Sequence, residues 1–363
     1  MMPETVISSD PSLLKLNGEE LFARGTSAFA ASEFDKAVRY FDRIVDTFPD
    51  SRHRREALYN SGLAHERLKH WEVASSRFTL LADAAHGKDD ALDAAFRLAE
   101  SEYQRGEFNH AIQLLRTVGA RSDLSLSQRL EAQVQQGICE LESGNPQAAE
   151  GTLRKSLEAY QSAPDKEGVD DYFPAQGQFF LGEIYRLRYE AVALIPEQGA
   201  DKLSADLELK AELLLSAQGH YLRSIRMGNG YWATASGSEI GGLYENLYNQ
   251  MVNAPTPSEL KPDEARVYRE ELRNKIRVLL TKAITIYEST LEAAERIGTS
   301  GPFVEKTRES LKRMKDLLLR EVRGDDAWGS DASKPPTPPD RRPRGLEPHT
   351  RLLGTPFEAG STG

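Results

Sequence analysis

Small and aromatic residues recur at an interval of 37 positions in the first third of the chain. Each interval reads as two helices, the first with a small residue in its middle and the second beginning near an aromatic residue. The positions that align in three copies are Gly25, Gly62 and Ala99; Phe34, Trp71 and Phe108; Ala37, Ala74 and Ala111; and Phe41, Phe78 and Leu115. A fourth copy follows after 38 residues, with Gly137, Gly144, Ala149 and Leu153. The pattern predicts a row of antiparallel helix pairs.

The residue types at these positions have a packing reason. Two antiparallel helices approach closely only where side chains are small, as at Gly25 and Ala37, and a ring such as Phe41 fills the wider space beside that contact. Turn residues fall between the predicted helices, at Gly106-Glu107 and Gly144-Asn145.

The series Gly25, Ala37, Phe41 and Pro49 resembles the tetratricopeptide repeat, which carries two small residues, an aromatic and a proline at similar spacing. The family interval is about 34 residues, so the 37 found here places roughly three added residues in the turn between repeats. The resemblance covers residues 18–118 and 128–160. It implies an all-α fold, an α-solenoid of helix-turn-helix repeats with a protein-binding groove.

The second half departs from the regular interval. A fifth first helix, around Phe179 to Tyr185, has its partner delayed until 213–222, with an insertion at 196–205. A sixth unit opens at Trp232, and a long helix of about Asp263 to Ile297 follows. A last helix extends to about Val322, and the long terminal pair is expected to cap the open end of the solenoid.

These readings give five segments. They are a flexible N-terminus (1–17), four repeats (18–160), divergent helical repeats with insertions (161–252), long C-terminal helices (253–323) and a disordered proline-rich tail (324–363). Within the tail, Pro335 to Pro339 could form a polyproline ligand, although a solvated tail is the simpler expectation.

A narrower resemblance comes from Phe48 to Ser51, Ala57 to Tyr59 and the region from Trp232 to Glu288. These stretches are similar to bacterial cell-envelope tetratricopeptide proteins of the outer-membrane assembly and Tol–Pal type. This resemblance implies, as an alternative function, a subunit of an envelope-assembly or motility complex.

Charge and hydropathy narrow the range of partners and compartments. The net charge of −10 disfavours nucleic acid as a partner, and no apolar run approaches the ~20 residues that span a bilayer. Residues 1–10 lack the pattern of a secretion signal, so the expected compartment is the cytoplasm, or the periplasm if the true N-terminus lies upstream. The lone Cys139 excludes an internal disulfide.

No catalytic motif stands out. His65 and His70 are five apart, which would put them about 140° apart on a helix and provide no metal-binding face. The glycine-rich stretch 237–242 lacks the Gly-Lys-Ser/Thr of a phosphate loop and reads as a close helix contact. We therefore expect no metal, no cofactor and no enzymatic activity; the alternative is an enzyme that uses the insertions at 160–260.

The resemblance also locates a candidate groove, because the first helix of each repeat lines the concave face in such arrays. Two successive concave positions would hold Phe22, Tyr59 and Phe96, and then Phe29, Glu66 and Tyr103. Exposed rings there would suit an extended or helical peptide of a protein partner. The alternative is that the rings are core. These residues do not match the lysines and asparagines of a carboxylate clamp, and the oligomeric state stays open.

Overall fold

The computed structural model describes residues 13–84, 89–166, 168–194, 200–252 and 261–323. Helix accounts for 83% of the structure, and no strand occurs in the described ranges. The predicted all-α class is confirmed.

Thirteen helices follow one another in the described residues and fall into two compact units. The first unit ends at Asn145 and holds α1 (Gly18–Ala30), α2 (Phe34–Thr47), α3 (Arg54–Arg67), α4 (Trp71–Ala84), α5 (Asp89–Gln104), α6 (Phe108–Gly119) and α7 (Leu126–Glu142). The second begins at Pro146 and holds α8 (Pro146–Ser162), α9 (Tyr172–Ala191), α10 (Ala200–Arg226), α11 (Gly230–Val252), α12 (Pro262–Ile297) and α13 (Pro302–Arg323). Within each unit, consecutive helices pack on one another, and α13 packs on both α11 and α12.

The turn inside each repeat has the same backbone geometry in four copies. Its central residue is left-handed, with φ of 59° at Ser32, 59° at Lys69, 81° at Gly106 and 84° at Gly144. The amide after it donates to the carbonyl five residues back, as from His70 to His65 at 2.9 Å. This bond satisfies a carbonyl at the end of the first helix and reverses the chain into the second.

The close contact between paired helices is a ring packed on a glycine. A Cβ built on Gly25 would lie 2.6 Å from the Phe41 ring, and one built on Gly62 would lie 2.6 Å from the Phe78 ring. Ala99 and Leu115, both fully buried, occupy the equivalent positions in the third copy. In these three copies, where the small residue is glycine, the facing residue is phenylalanine, and where it is alanine, the facing residue is the smaller leucine.

The second unit keeps this contact across longer helices. Tyr221 of α10 packs on Gly182 of α9, and Tyr287 of α12 packs on Gly241 of α11. The long helix α12 is therefore the second member of the sixth pair, a pairing that the sequence had not indicated. The expected insertion at 196–205 is also partly helix, since α10 already begins at Ala200.

The sequence analysis also made predictions about the two ends of the chain and about membrane-spanning segments. The predicted tail 324–363, its proline-rich stretch and residues 1–12 lie outside the described residues. Among the helices that the structure describes, none is both long enough and apolar enough to cross a membrane.

Candidate partner-binding site

The three rings expected at the first concave position lie in the core. Phe22, Tyr59 and Phe96 are 2%, 8% and 2% exposed. The Phe22 ring lies 5.9 Å from that of Phe41, and the Tyr59 ring lies 6.1 Å from that of Phe78. The expected exposure of these rings is therefore not found. The rings of Phe22 and Tyr59 face the second helix of their own pair, and Phe96 is buried. A binding role for them stays a prediction without structural support of its own.

Two further rings of the proposed groove are buried at the turns. Phe29 lies edge-on to Phe34 at 5.3 Å, and Tyr103 lies edge-on to Phe108 at 5.4 Å. In both pairs, the second ring belongs to the first residue of the second helix. These ring pairs therefore join the end of the first helix to the start of the second across the intra-repeat turn.

Glu66 belongs to a buried ionic cluster that joins α3 to α5. Arg97 Nη1 donates to Glu66 Oε2 at 3.4 Å and lies 3.6 Å from Glu100 Oε2. Burial, followed by the charge of Glu100, raises the pKa of the Glu66 carboxyl to about 8, and burial also raises the pKa of the Glu100 carboxyl. One guanidinium is thus shared by two carboxyl groups that are poorly solvated. The sequence had indicated Glu66 alone, because charged residues on amphipathic helices usually lie in solvent.

The second unit has an open apolar groove between α10 and α12. Its volume is about 230 Å³. Helix α11 forms its floor and the two neighbouring helices form its walls. The lining residues are Gln218, Leu222, Ile225, Ala233, Thr234, Gly237, Ile240, Thr285, Ile286, Ser289, Thr290, Ala293 and Ile297. We refer to this set as the α10–α12 groove.

None of the lining side chains of the α10–α12 groove carries a charge. Three of its threonines donate their hydroxyl hydrogens to carbonyls of their own helices: Thr234 to Gly230 at 2.8 Å, Thr285 to Thr281 at 2.9 Å and Thr290 to Ile286 at 2.7 Å. Such back-bonded hydroxyls offer no free donor to a ligand. The groove is therefore less polar than its composition indicates.

The rim of the groove exposes large apolar side chains. Leu222 on the α10 wall is 37% exposed, and Ile297 at the end of the α12 wall is 54% exposed. An apolar surface that is both concave and continuous with exposed rim residues is typical of a contact site. The sequence had identified the 237–242 stretch only as a helix contact, which Gly237 against Thr290 and Gly241 against Tyr287 confirm.

Comparison with known proteins identifies the repeats. A family model described as tetratricopeptide repeat matches residues 22–74, which include all of α2 and α3. The chain contains tetratricopeptide repeats. The match falls within the copies whose glycine–ring contacts and left-handed turns are described above, so the α-solenoid class that the resemblance implied is confirmed.

Solved structures of other tetratricopeptide-repeat proteins align with most of the chain at low identity. A tetratricopeptide repeat protein from Parabacteroides merdae is 15% identical, with 82% of this chain and 98% of that chain covered and a TM-score of 0.39. The C-terminal part of such a protein from Cytophaga hutchinsonii is 12% identical, with 84% and 98% covered and a TM-score of 0.44.

A third similar structure is the Rap conjugation gene regulator of the plasmid pLS20 in complex with the Phr* peptide. It is 16% identical, with 91% of this chain and 83% of that chain covered and a TM-score of 0.37. Scores at this level transfer no function. The search of curated protein sequences gave no match.

Proposed function

We propose that this tetratricopeptide-repeat protein is a non-catalytic scaffold that binds an apolar segment of a partner protein in the α10–α12 groove. The observation that carries the proposal is the absence of charge from all the side chains that line the groove. A partner that buries a charged group there would lose its hydration without gaining a counter-ion. The inserted part of the partner is therefore apolar.

The size of the groove favours side chains of a protein over a small-molecule ligand. Ligand pockets usually have volumes of ~300–1,000 Å³, whereas the α10–α12 groove holds about 230 Å³. A cavity of ~150 Å³ accommodates a benzene ring. The groove thus has room for one or two large apolar side chains.

The length of the groove favours a helical segment. Its α12 wall runs from Thr285 to Ile297, which at ~1.5 Å per residue is about 18 Å, or roughly three helical turns. An amphipathic helix of this length presents apolar side chains at positions i, i+3 or i+4, and i+7 along one ridge. We therefore propose a short amphipathic helix as the occupant.

Selection from a displayed library of helical peptides tests this proposal. Clones are selected on the full chain and then assayed on two groove variants, Ser289→Glu, which adds a charge to the wall, and Ala293→Phe, which fills it. Thr281→Glu is the matched control, because Thr281 is exposed on the same helix and does not line the groove. We expect clones with an apolar ridge that bind the wild type and the control and lose affinity for both groove variants. Recovery only of clones that bind all four proteins equally would refute the site.

A further inference from the structure

The sequence places His65 and His70 on opposite sides of a continuous helix, but α3 ends at Arg67. Lys69 adopts the left-handed conformation with φ of 59°, and the His70 amide donates to the His65 carbonyl at 2.9 Å. This turn folds the chain back and brings the two imidazoles together. The angular argument against a metal-binding pair is therefore wrong, because it assumed a helix that does not continue.

The two rings face each other through the same nitrogen. His65 Nδ1 and His70 Nδ1 are 3.3 Å apart. The other nitrogen of His65, Nε2, lies 3.1 Å from Asp42 Oδ2. A carboxylate at that position holds the proton on Nε2, so Nδ1 of His65 carries a lone pair directed at His70.

We propose that His65 and His70 chelate a Zn²⁺ ion through their Nδ1 atoms. Zinc binds imidazole nitrogen at ~2.0–2.1 Å in tetrahedral geometry, and two such bonds place the nitrogens about 3.3–3.4 Å apart. The observed separation has that length.

Within this chain, the ion has two ligands, the Nδ1 atoms of His65 and His70. In the described part of the chain, no three His, Cys, Asp or Glu side chains converge on one point, so the remaining two coordination positions belong to solvent or to donors of a partner. His65 is buried and His70 is exposed, which leaves those positions accessible. When the ion binds, the proton that the two Nδ1 atoms share moves to Nε2 of His70.

The charges around the pair are compatible with a cation. Asp42 accepts from Ser61 Oγ at 2.6 Å and pairs with Arg77 at 3.1 Å, and Arg77 also pairs with Asp46 at 3.2 Å. The cluster of Asp42, Arg77 and Asp46 thus contains two carboxylates and one guanidinium, with one net negative charge. This cluster attracts a cation bound at the imidazoles.

The other repeats show that the turn does not need the histidines. The same turn is formed with Ala28 and Glu33 in the first copy, and with Glu102 and Glu107 in the third. Only the second of the four described turns has an imidazole at both positions. Replacing His70 should therefore leave the fold intact.

Calorimetric titration of the full chain, free of any histidine tag, with zinc chloride tests the site. We expect one ion per chain, loss of that binding in His70→Gln, and binding weakened by about 10–100-fold in Asp42→Asn, which removes the outer-shell carboxylate. His110→Gln is the control, since that exposed histidine lies on α6. Circular dichroism of each variant checks that the helices are retained.

Cobalt substitution gives a second reading of the same site. Tetrahedral Co²⁺ has strong visible absorption, and we expect such a band in the wild type and in His110→Gln but not in His70→Gln. Absence of zinc binding, binding that survives His70→Gln, or a weak octahedral cobalt spectrum would each overturn the proposal.

Discussion

Replacing Gly62 by alanine tests the ring-on-glycine contact most directly. The added Cβ would lie 2.6 Å from Phe78 Cζ and 2.7 Å from Cε1, so one side has to move by close to 1 Å. Phe78 is fully buried, and overpacking a rigid core costs up to about 3 kcal/mol. Alanine regains about 1 kcal/mol through helix propensity. We expect a net loss of about 2 kcal/mol in the free energy of unfolding.

The third repeat supplies the compensating change. Ala99 and Leu115 occupy the positions of Gly62 and Phe78, so Phe78→Leu in the Gly62→Ala background should restore the fit. The double variant should be more stable than the sum of the single changes by about 0.5–3 kcal/mol, the range for residues in contact.

Gly119→Ala is the control for these variants, because a Cβ there meets its nearest neighbour, Ala132 Cβ, at an ordinary 3.8 Å. Urea unfolding followed by circular dichroism measures stability, and hydrogen exchange in α3 and α4 localises the loss, since repeat arrays often unfold in steps. A Gly62→Ala variant as stable as the wild type, or additive single changes, would refute the reasoning.

Three further predictions concern the core. Tyr59→Ala should cost about 3–5 kcal/mol, as large aromatic truncations do. Tyr59→Phe should cost less, because it keeps the ring and removes only the hydrogen bonds of the hydroxyl group with Asp93 and Arg97. Thermal unfolding compares the two variants. The pKa of the Glu66 carboxyl rises from 4.5 to about 8 on folding. The folded protein therefore keeps this carboxyl protonated where the unfolded chain does not, and the free energy of unfolding falls as the pH rises through that interval. Between pH 5 and 8, the midpoint of urea unfolding should decline less in Glu66→Gln than in the wild type. Lys210→Met should cost about 1.5–3 kcal/mol, because Lys210 Nζ donates to the carbonyls of Tyr189 at 2.7 Å and Val192 at 2.8 Å; an unchanged melting temperature would contradict this.

The regular part of the fold could be predicted because its determinants are local. Gly25 and Phe41 are 16 residues apart, and that spacing repeats in the next copies. The partner of Gly241 is Tyr287, and no earlier copy has such a spacing. The sequence therefore indicated the helices of the second unit without indicating how α11 and α12 pair.

The α10–α12 groove could not be read from the sequence for a related reason. Its walls bring Leu222 and Ile297 to one surface from helices that are not consecutive. In the sequence, the apolar residues of each of these helices look like an ordinary buried helix face. For Phe22, Tyr59 and Phe96, periodicity placed the three rings at equivalent positions, and all three are buried. Periodicity alone could not tell an exposed groove position from a position in the core, so the binding role of these residues stays a prediction.

The spacing of the ring and the glycine also has a kinetic consequence. Closing a chain segment costs entropy that grows as ~(3/2)RT ln n, so bringing Tyr287 onto Gly241 across 46 residues costs about 0.9 kcal/mol more than bringing Phe41 onto Gly25 across 16. Contacts between residues close in sequence form sooner. During folding, the short hairpins of the first unit are therefore expected to form before the α11–α12 pair, and the α10–α12 groove is among the last surfaces to form.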